Sequence, residues 1–291
     1  TKFDFMLSNP PYGKSWASEQ KHIKDGSDVI DPRFIVKLKD YWGNEESCDA
    51  TPRSSDGQLL FLMEMVNKMK SPEHNGIGGR IASVHNGSSL FTGDAGGGES
   101  NIRRYIIEND LLNAIVQLPN NLFYNTGITT YIWLLSNNKP QQRKGKVQLI
   151  DASLMFRKLR KNLGNKNCEF APEHIAEIMQ TYLAGQDVER QLDAKNDPIG
   201  IASKVFDNQD FGYYKVSIER PDRRSAQFSA ERLQGLRFDK SLSEPMEYMY
   251  STYGDDIYSE AKLDAVKKEV LAWCEDQEIS LNNKAQAKLL D

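Results

Sequence analysis

Cysteine is scarce in this sequence. Cys48, Cys168 and Cys274 stand far apart in 291 residues, with no C-x-x-C among them. That spacing excludes a disulfide framework and a cysteine-bound zinc, and it suits a reducing compartment. Histidine is equally thin: His22, His74, His85 and His174 show no ligand spacing, so no metal is expected. No run approaches the roughly 18 apolar residues of a membrane span, and no signal-peptide pattern opens the chain. Nor is there an excess of positive charge. The 37 basic and 41 acidic side chains leave a formal charge of -4, so any contact with nucleic acid has to come from local patches or from a partner. Internal repeats and low-complexity tracts are absent as well. An initiator methionine is also missing: Thr1 leads at once into the apolar segment Phe3-Asp4-Phe5-Met6-Leu7. Such an opening reads either as a trimmed end or as a piece of a longer protein, and we expect the second.

What is present is ordinary globular composition, 39% hydrophobic, with strand and helix patterns in alternation. Residues 3–8 predict a buried strand that Asn9-Pro10-Pro11 terminates, since proline cannot donate to a ladder. Residues 13–57 predict a long, partly helical surface excursion anchored by Ile35, Val36, Leu38, Tyr41 and Trp42. Gln58 to Lys70 predicts a helix against a sheet. Further strands are expected at 80–84, 114–118, 129–135 and 147–150, with a helix capped by Ser100 between the first two of these. This alternation indicates an α/β domain with a largely parallel sheet. Residues 156–200 turn basic and then helical, 213–218 predict an isolated strand ending at Arg220-Pro221, and 255–276 predict an amphipathic helix. Its stripe of Leu263, Val266, Val270 and Trp273 is expected either to dock a partner subunit or to pack on the chain's own core. The expected division is 1–155 as catalytic sheet, 156–221 as basic extension and 222–291 as helical tail.

The chemistry concentrates in Asn9-Pro10-Pro11-Tyr12, at the carboxyl end of a strand, where open α/β sheets bind their ligands. The Asn9 side-chain oxygen and the Pro10 carbonyl can both accept from one exocyclic NH2 group, and Pro11 stiffens the turn that aims them. Two acceptors on one amine concentrate its lone pair for attack on a methyl group. Tyr12 offers an aromatic face for a base drawn out of a duplex. The plainer alternative is a proline turn closing a strand, with Tyr12 as a wall of the core.

The string FDFMLSNPPYGKSW (3–16) resembles the catalytic motif of N6-adenine DNA methyltransferases. The continuation is similar to the modification subunit of type I restriction–modification enzymes. It does so through DGQLLFLMEMV (56–66), GGRIASVHNGSSLFTGDAGGGESNIRRYIIENDLL (78–112), LPNNLFYNTGITTYIWLLSNNK (118–139), FRKLRKNLGNKN (156–167) and SKVFDNQDFGYYKVSIERP (203–221). The resemblance implies a Rossmann-like sheet, S-adenosylmethionine as cofactor, and DNA, a specificity subunit and a restriction subunit as partners in the bacterial cytoplasm. By position it implies that Asn9, Pro10 and Pro11 hold the target amine, that Asn9 also faces the cofactor, and that Tyr12 stacks on the base. In that family the glycine-rich cofactor motif and its acidic ribose partner precede the Asn-Pro-Pro strand. The chain is therefore expected to be the C-terminal part of the enzyme, inactive and without useful affinity for the cofactor alone. Its first strand should lack a neighbour, its edge covered from elsewhere in the chain or by a second copy. The Gly93–Gly98 run lacks the strand context of a cofactor loop and is expected to be a mobile surface loop.

Two further features are candidates. Phe123, before the 129–135 strand, is placed either on the second face of the base or in core packing. Between 140 and 170 eight basic residues meet only Asp151 and Glu169. Arg157, Lys158, Arg160 and Lys161 are thus candidates for DNA phosphates, or else form a solvated face. Two other readings compete with the adenine one: a methyltransferase for a protein glutamine or an RNA guanine amine, and a non-catalytic assembly module.

Overall fold

Short β-branched and aromatic runs, each broken by proline, glycine or asparagine, give the chain its main sheet. In the computed structural model these are β1 (Phe5–Ser8), β2 (Arg80–Asn86), β3 (Leu112–Gln117), β4 (Thr130–Ser136), β5 (Lys146–Asp151) and β6 (Ala202–Asp207). The structure describes residues 1–124, 126–219, 230, 242–254 and 260–290. The strands lie in the order β1-β2-β4-β3-β5-β6. β1 runs parallel to β2 and β3 parallel to β5, whereas β4 is antiparallel to both of its neighbours and β6 is antiparallel to β5. The expected largely parallel sheet is therefore mixed. The cause is the 118–129 connection, which returns β4 beside β3 without a crossover helix. β1, β2, β3 and β5 all point their carboxyl ends to one edge of the sheet.

Helices cover the faces. α1 (Gln58–Asn67) buries Leu59, Leu62 and Met63, and α2 (Gly98–Glu108) buries Ile102 and Ile106, the i, i+3, i+4 spacing of an apolar stripe. Both join Ile81, Ile115, Trp133 and Leu135 of the sheet in the first core cluster. The opposite face carries Val116, Ile132, Leu134 and Ile150, on which Ile178 and Tyr182 of α3 (Pro172–Ala184) pack. α2 starts at Gly98 behind an N-cap at Gly97, so Ser100 is not its cap. A Cβ on Gly98 would collide with the Thr51 carbonyl oxygen, and that close approach docks the helix start on the 49–53 segment.

Three other expectations need correction. Residues 13–57 are helical only in the 3-10 turns Gln20–His22 and Pro32–Phe34, and otherwise form hairpins at 24–25/28–29 and 35–39/45–49. Val36 and Leu38 alternate into the core, while Tyr41 and Trp42, each 81% exposed, cap the turn and anchor nothing. The basic stretch is a hairpin, Arg157–Leu163 against Lys166–Glu169, and α3 follows it, so the expected turn from basic to helical holds. Residues 213–218 are irregular, with Tyr214 and Ile218 exposed, and the strand lies earlier, at β6; Arg220 and Pro221 lie outside the described residues.

The contacts divide the chain into units Thr1–Val216 and Ser217–Asp291. The second holds α4 (Ser243–Tyr253), α5 (Glu260–Asp276) and α6 (Asn283–Leu290). Val266 and Val270 are buried there with Leu242, Met246, Met249, Cys274 and Leu289, and Trp273 stacks on Tyr248. Of the two expected roles for the stripe, Val266, Val270 and Trp273 take the second and pack on the chain's own core. Residues 255–259 and the Leu263 side chain lie outside the described residues.

Candidate functional site

Asn9 emerges where β1 ends, beside Ser83 of β2, on the edge to which four strands point. Pro10 is buried behind it, and Asn9 itself is exposed. The Tyr12 hydroxyl donates to Asn9 Oδ1 at 2.7 Å, so ring and amide form one local unit. Partial burial of the phenol raises its pKa. Tyr12 is accordingly a neutral donor, occupying an acceptor that an incoming amine can take over.

The loop beyond Tyr12 is pinned from below. Gly13, at φ +61°, donates its amide to Asp56 Oδ1 at 3.2 Å. The Lys14 carbonyl accepts from Gly57 N, and buried Trp16 donates its amide to Ser54 O and its indole to Arg53 O. Asp56 belongs to a polar network that sequence reading missed. Its Oδ2 accepts from Gln58 Nε2 at 2.7 Å and from Ser88 Oγ at 2.8 Å. Gln58 also donates to Asn86 Oδ1, and its Oε1 accepts from Asn86 N. His85 Nδ1 lies 3.1 Å from that same Oε1, which requires the proton on Nδ1. Burial drives the His85 pKa down to about 4, so the ring is neutral near pH 7. The signals for this network are Asp-Gly-Gln just before a helix and His-Asn-Gly-Ser-Ser just after a strand. Each is a polar string where the apolar pattern pauses.

The remaining candidates are dispersed. Phe123 packs partly buried on the second cluster. No ring contact joins it to Tyr12 among the described residues, and β3 lies roughly 14 Å from β1 at ~4.8 Å per strand. Of the basic residues, Arg157 pairs with Glu169 at 2.9 Å. Lys158, Arg160 and Lys161 are exposed, with no ion-pair partner among the described residues. Their hairpin is fastened to the loop after β3: Asn167 N donates to Asn121 O, and Lys166 Nζ donates to Leu122 O and lies over the Tyr124 ring. That loop leaves the sheet at the same edge as Asn9.

The residues described here fit S-adenosylmethionine poorly. β1 is the end strand of its sheet, so Asn9 is flanked by a neighbouring strand on one side only. The Gly93–Gly98 run is committed elsewhere: Gly98 abuts Thr51, and Glu99 in the first turn of α2 accepts from Arg53 N. A carboxylate there occupies the helix N-terminus.

Comparison with known proteins agrees with this arrangement. The N-6 DNA methylase family model matches residues 1–199. The methylase subunit of the type I restriction enzyme MjaVII from Methanocaldococcus jannaschii is 37% identical over 186 residues, which cover 64% of this chain and 28% of that protein. The HindI methylase subunit from Haemophilus influenzae is 30% identical over 244 residues, 81% of this chain and 46% of that protein. The chain thus spans less than half the length of these relatives. Among solved structures, the methyltransferase subunit of a type I restriction–modification system from Streptococcus thermophilus gives a TM-score of 0.51 at 24% identity, over 72% of this chain and 35% of that one. This likeness shows the fold, a Rossmann-like sheet of mixed direction. The match of the family model runs through the Asn-Pro-Pro-Tyr edge and the network beneath it, and the chain belongs to the N-6 DNA methylase family.

Proposed function

We propose that the chain is the amine-positioning part of a type I restriction–modification methylase subunit, acting on the N6 amine of adenine in DNA. The observation that carries this reading is Asn9 at the carboxyl edge of β1 with Tyr12 hydrogen-bonded to it. The adenine amine displaces the Tyr12 hydroxyl from Asn9 Oδ1 and donates its second hydrogen to the Pro10 carbonyl. Held by two acceptors, the nitrogen keeps its lone pair directed outward. The Tyr12 ring receives the extruded base. In the intact subunit S-adenosylmethionine would supply the electrophilic methyl group, and Asn9 is the residue of this chain that would face it.

The remaining parts follow the same reading. Lys158, Arg160 and Lys161, with Arg157 beside them, meet phosphates on the edge that Asn9 shares. Phe123 backs the loop whose exposed ring is Tyr124, and so borders the base site. A specificity subunit reads the DNA sequence, a restriction subunit joins the assembly, and the place of action is the cytoplasm. A second copy of the chain can pair along β1.

Asn9→Ala in the intact methylase subunit tests the reading. Methyl transfer to DNA should be abolished while DNA affinity stays nearly unchanged, because the lost acceptor serves the reacting amine. Undiminished turnover in that variant rejects the assignment.

A further inference from the structure

We propose that Asp56 is a positioning residue for Tyr12: its buried carboxylate holds the Gly13 amide and thereby sets where the ring and hydroxyl of Tyr12 stand against Asn9. The inference rests on the proposed use of Asn9 and Tyr12, and adds a residue that touches neither.

Asp56 is 7% exposed, and among the described residues no lysine or arginine pairs with it. A carboxylate so placed persists only when donors fill its lone pairs. Four do. Gly13 N at 3.2 Å and Gln58 N at 3.3 Å meet Oδ1, and Gln58 Nε2 and Ser88 Oγ meet Oδ2. If Asp56 served only to begin α1, the Gln58 amide would suffice. Instead the donors come from three separate segments: the turn after Tyr12, the start of α1, and the helical turn Ser88–Phe91 that follows β2. Ser88 N is held in turn by Asn86 Oδ1 at 3.0 Å, and Asn86 ends β2, the strand parallel to β1. The carboxylate thus refers the position of Gly13 to strand β2, to helix α1 and to the Ser88–Phe91 turn. Only Tyr12 separates that glycine from Pro11. A displacement at Gly13 carries Tyr12 with it, and near-attack geometry tolerates little displacement.

The test has two arms. In the 291-residue chain, hydrogen exchange is followed by residue in Asp56→Ala and Asp56→Asn. Loss of the carboxylate should speed exchange at the Gly13 amide by about tenfold or more, and asparagine, which keeps one acceptor oxygen, should restore most of the protection. Faster exchange confined to the first turn of α1, with Gly13 unchanged, overturns the proposal and leaves Asp56 as a helix-starting residue. In the intact methylase subunit, Asp56→Ala should lower kcat about tenfold at saturating DNA with KM for DNA moved by about twofold or less, and Asp56→Asn should recover most of the rate. A loss of rate that tracks the folded fraction alone overturns it as well. Should Asp56→Ala fail to fold, Ser88→Ala removes one donor to Oδ2 and is read by the same two measurements. Failure of the wild type to methylate adenine rejects the proposed function, while the exchange arm still decides the role of Asp56.

Discussion

At the scale of single residues, Tyr12 both prepares and obstructs Asn9. Its hydroxyl satisfies the amide oxygen at 2.7 Å, and under the proposed function the target amine has to take that place. Tyr12→Phe keeps the ring and removes the competitor, so transfer should persist with DNA affinity equal or higher. Tyr12→Ala removes a stacking surface worth roughly 1–3 kcal/mol, which should weaken capture of the base about 5- to 150-fold. Equal binding by the alanine and phenylalanine variants, measured on a single-stranded target, would leave the ring without its assigned work. His85 allows a separate prediction. Its pKa falls from 6.5 to about 4 on folding because burial disfavours the imidazolium. The unfolded chain therefore takes the proton first. The stability this neutral ring permits is complete above ~6.5 and declines as pH falls toward 4, by up to roughly 3 kcal/mol. Urea midpoints at pH 7 and pH 5 should differ in the wild type and converge in His85→Phe, which keeps a ring beside Trp133. A persisting difference assigns the sensitivity to another group. Asn9 and Tyr12 were legible because their chemistry lies within one tetrapeptide. Asp56, Gln58, His85 and Ser88 were not, since their partners lie 27 to 43 positions away and meet only when α1 and the loop after Tyr12 pack beside β2.

Secondary-structure elements show the same division between local and distant causes. The helix at 58–67 and the strands at 80–86 and 130–136 follow from a one-sided apolar period, which is a property of the segment itself. The 35–49 hairpin was obscured because Tyr41 and Trp42 looked like anchors. They cap a turn fixed by Asp40, whose Oδ1 accepts the amides of Trp42 and Asn44. The strand at β6 was missed for 213–218 because both alternate, and only pairing with β5 distinguishes them. In the tail, the stripe on α5 was visible, but which surface would cover it depended on α4 and α6. The basic hairpin tests function at this scale. Lys158 and Arg160, two apart on one strand, share a face. If both neutralise phosphates, Lys158→Ala with Arg160→Ala should make the slope of log affinity for duplex DNA against log salt shallower by about 1–2. An unchanged slope assigns the two residues to solvent.

For the sheet-bearing unit as a whole, the governing feature is the open side of β1. Phe5 and Leu7 are 66% and 86% exposed on the last strand of the sheet, and among the described residues no strand lies beside its outer N–H and C=O groups. Such an edge is a template for pairing, and covering a leucine contributes roughly 1.5–3 kcal/mol. The 291-residue chain should show a mass that rises with concentration in sedimentation velocity, and Leu7→Lys should keep it monomeric. A monomer at every concentration shows that the edge is tolerated bare.

The direction of the strands also gives the sheet-bearing unit a front and a back. Asn9, the Asp56 network, the 118–129 loop and the basic hairpin all leave the sheet at one edge. The 137–145 connection, with Gln142 and Lys144 exposed on it, leaves at the other. Seven residues of β2 separate the two by about 20 Å. A dye or surface tether attached at position 142 would stand behind the sheet, and the immobilised sheet-bearing unit would turn the Asn9 edge away from the support.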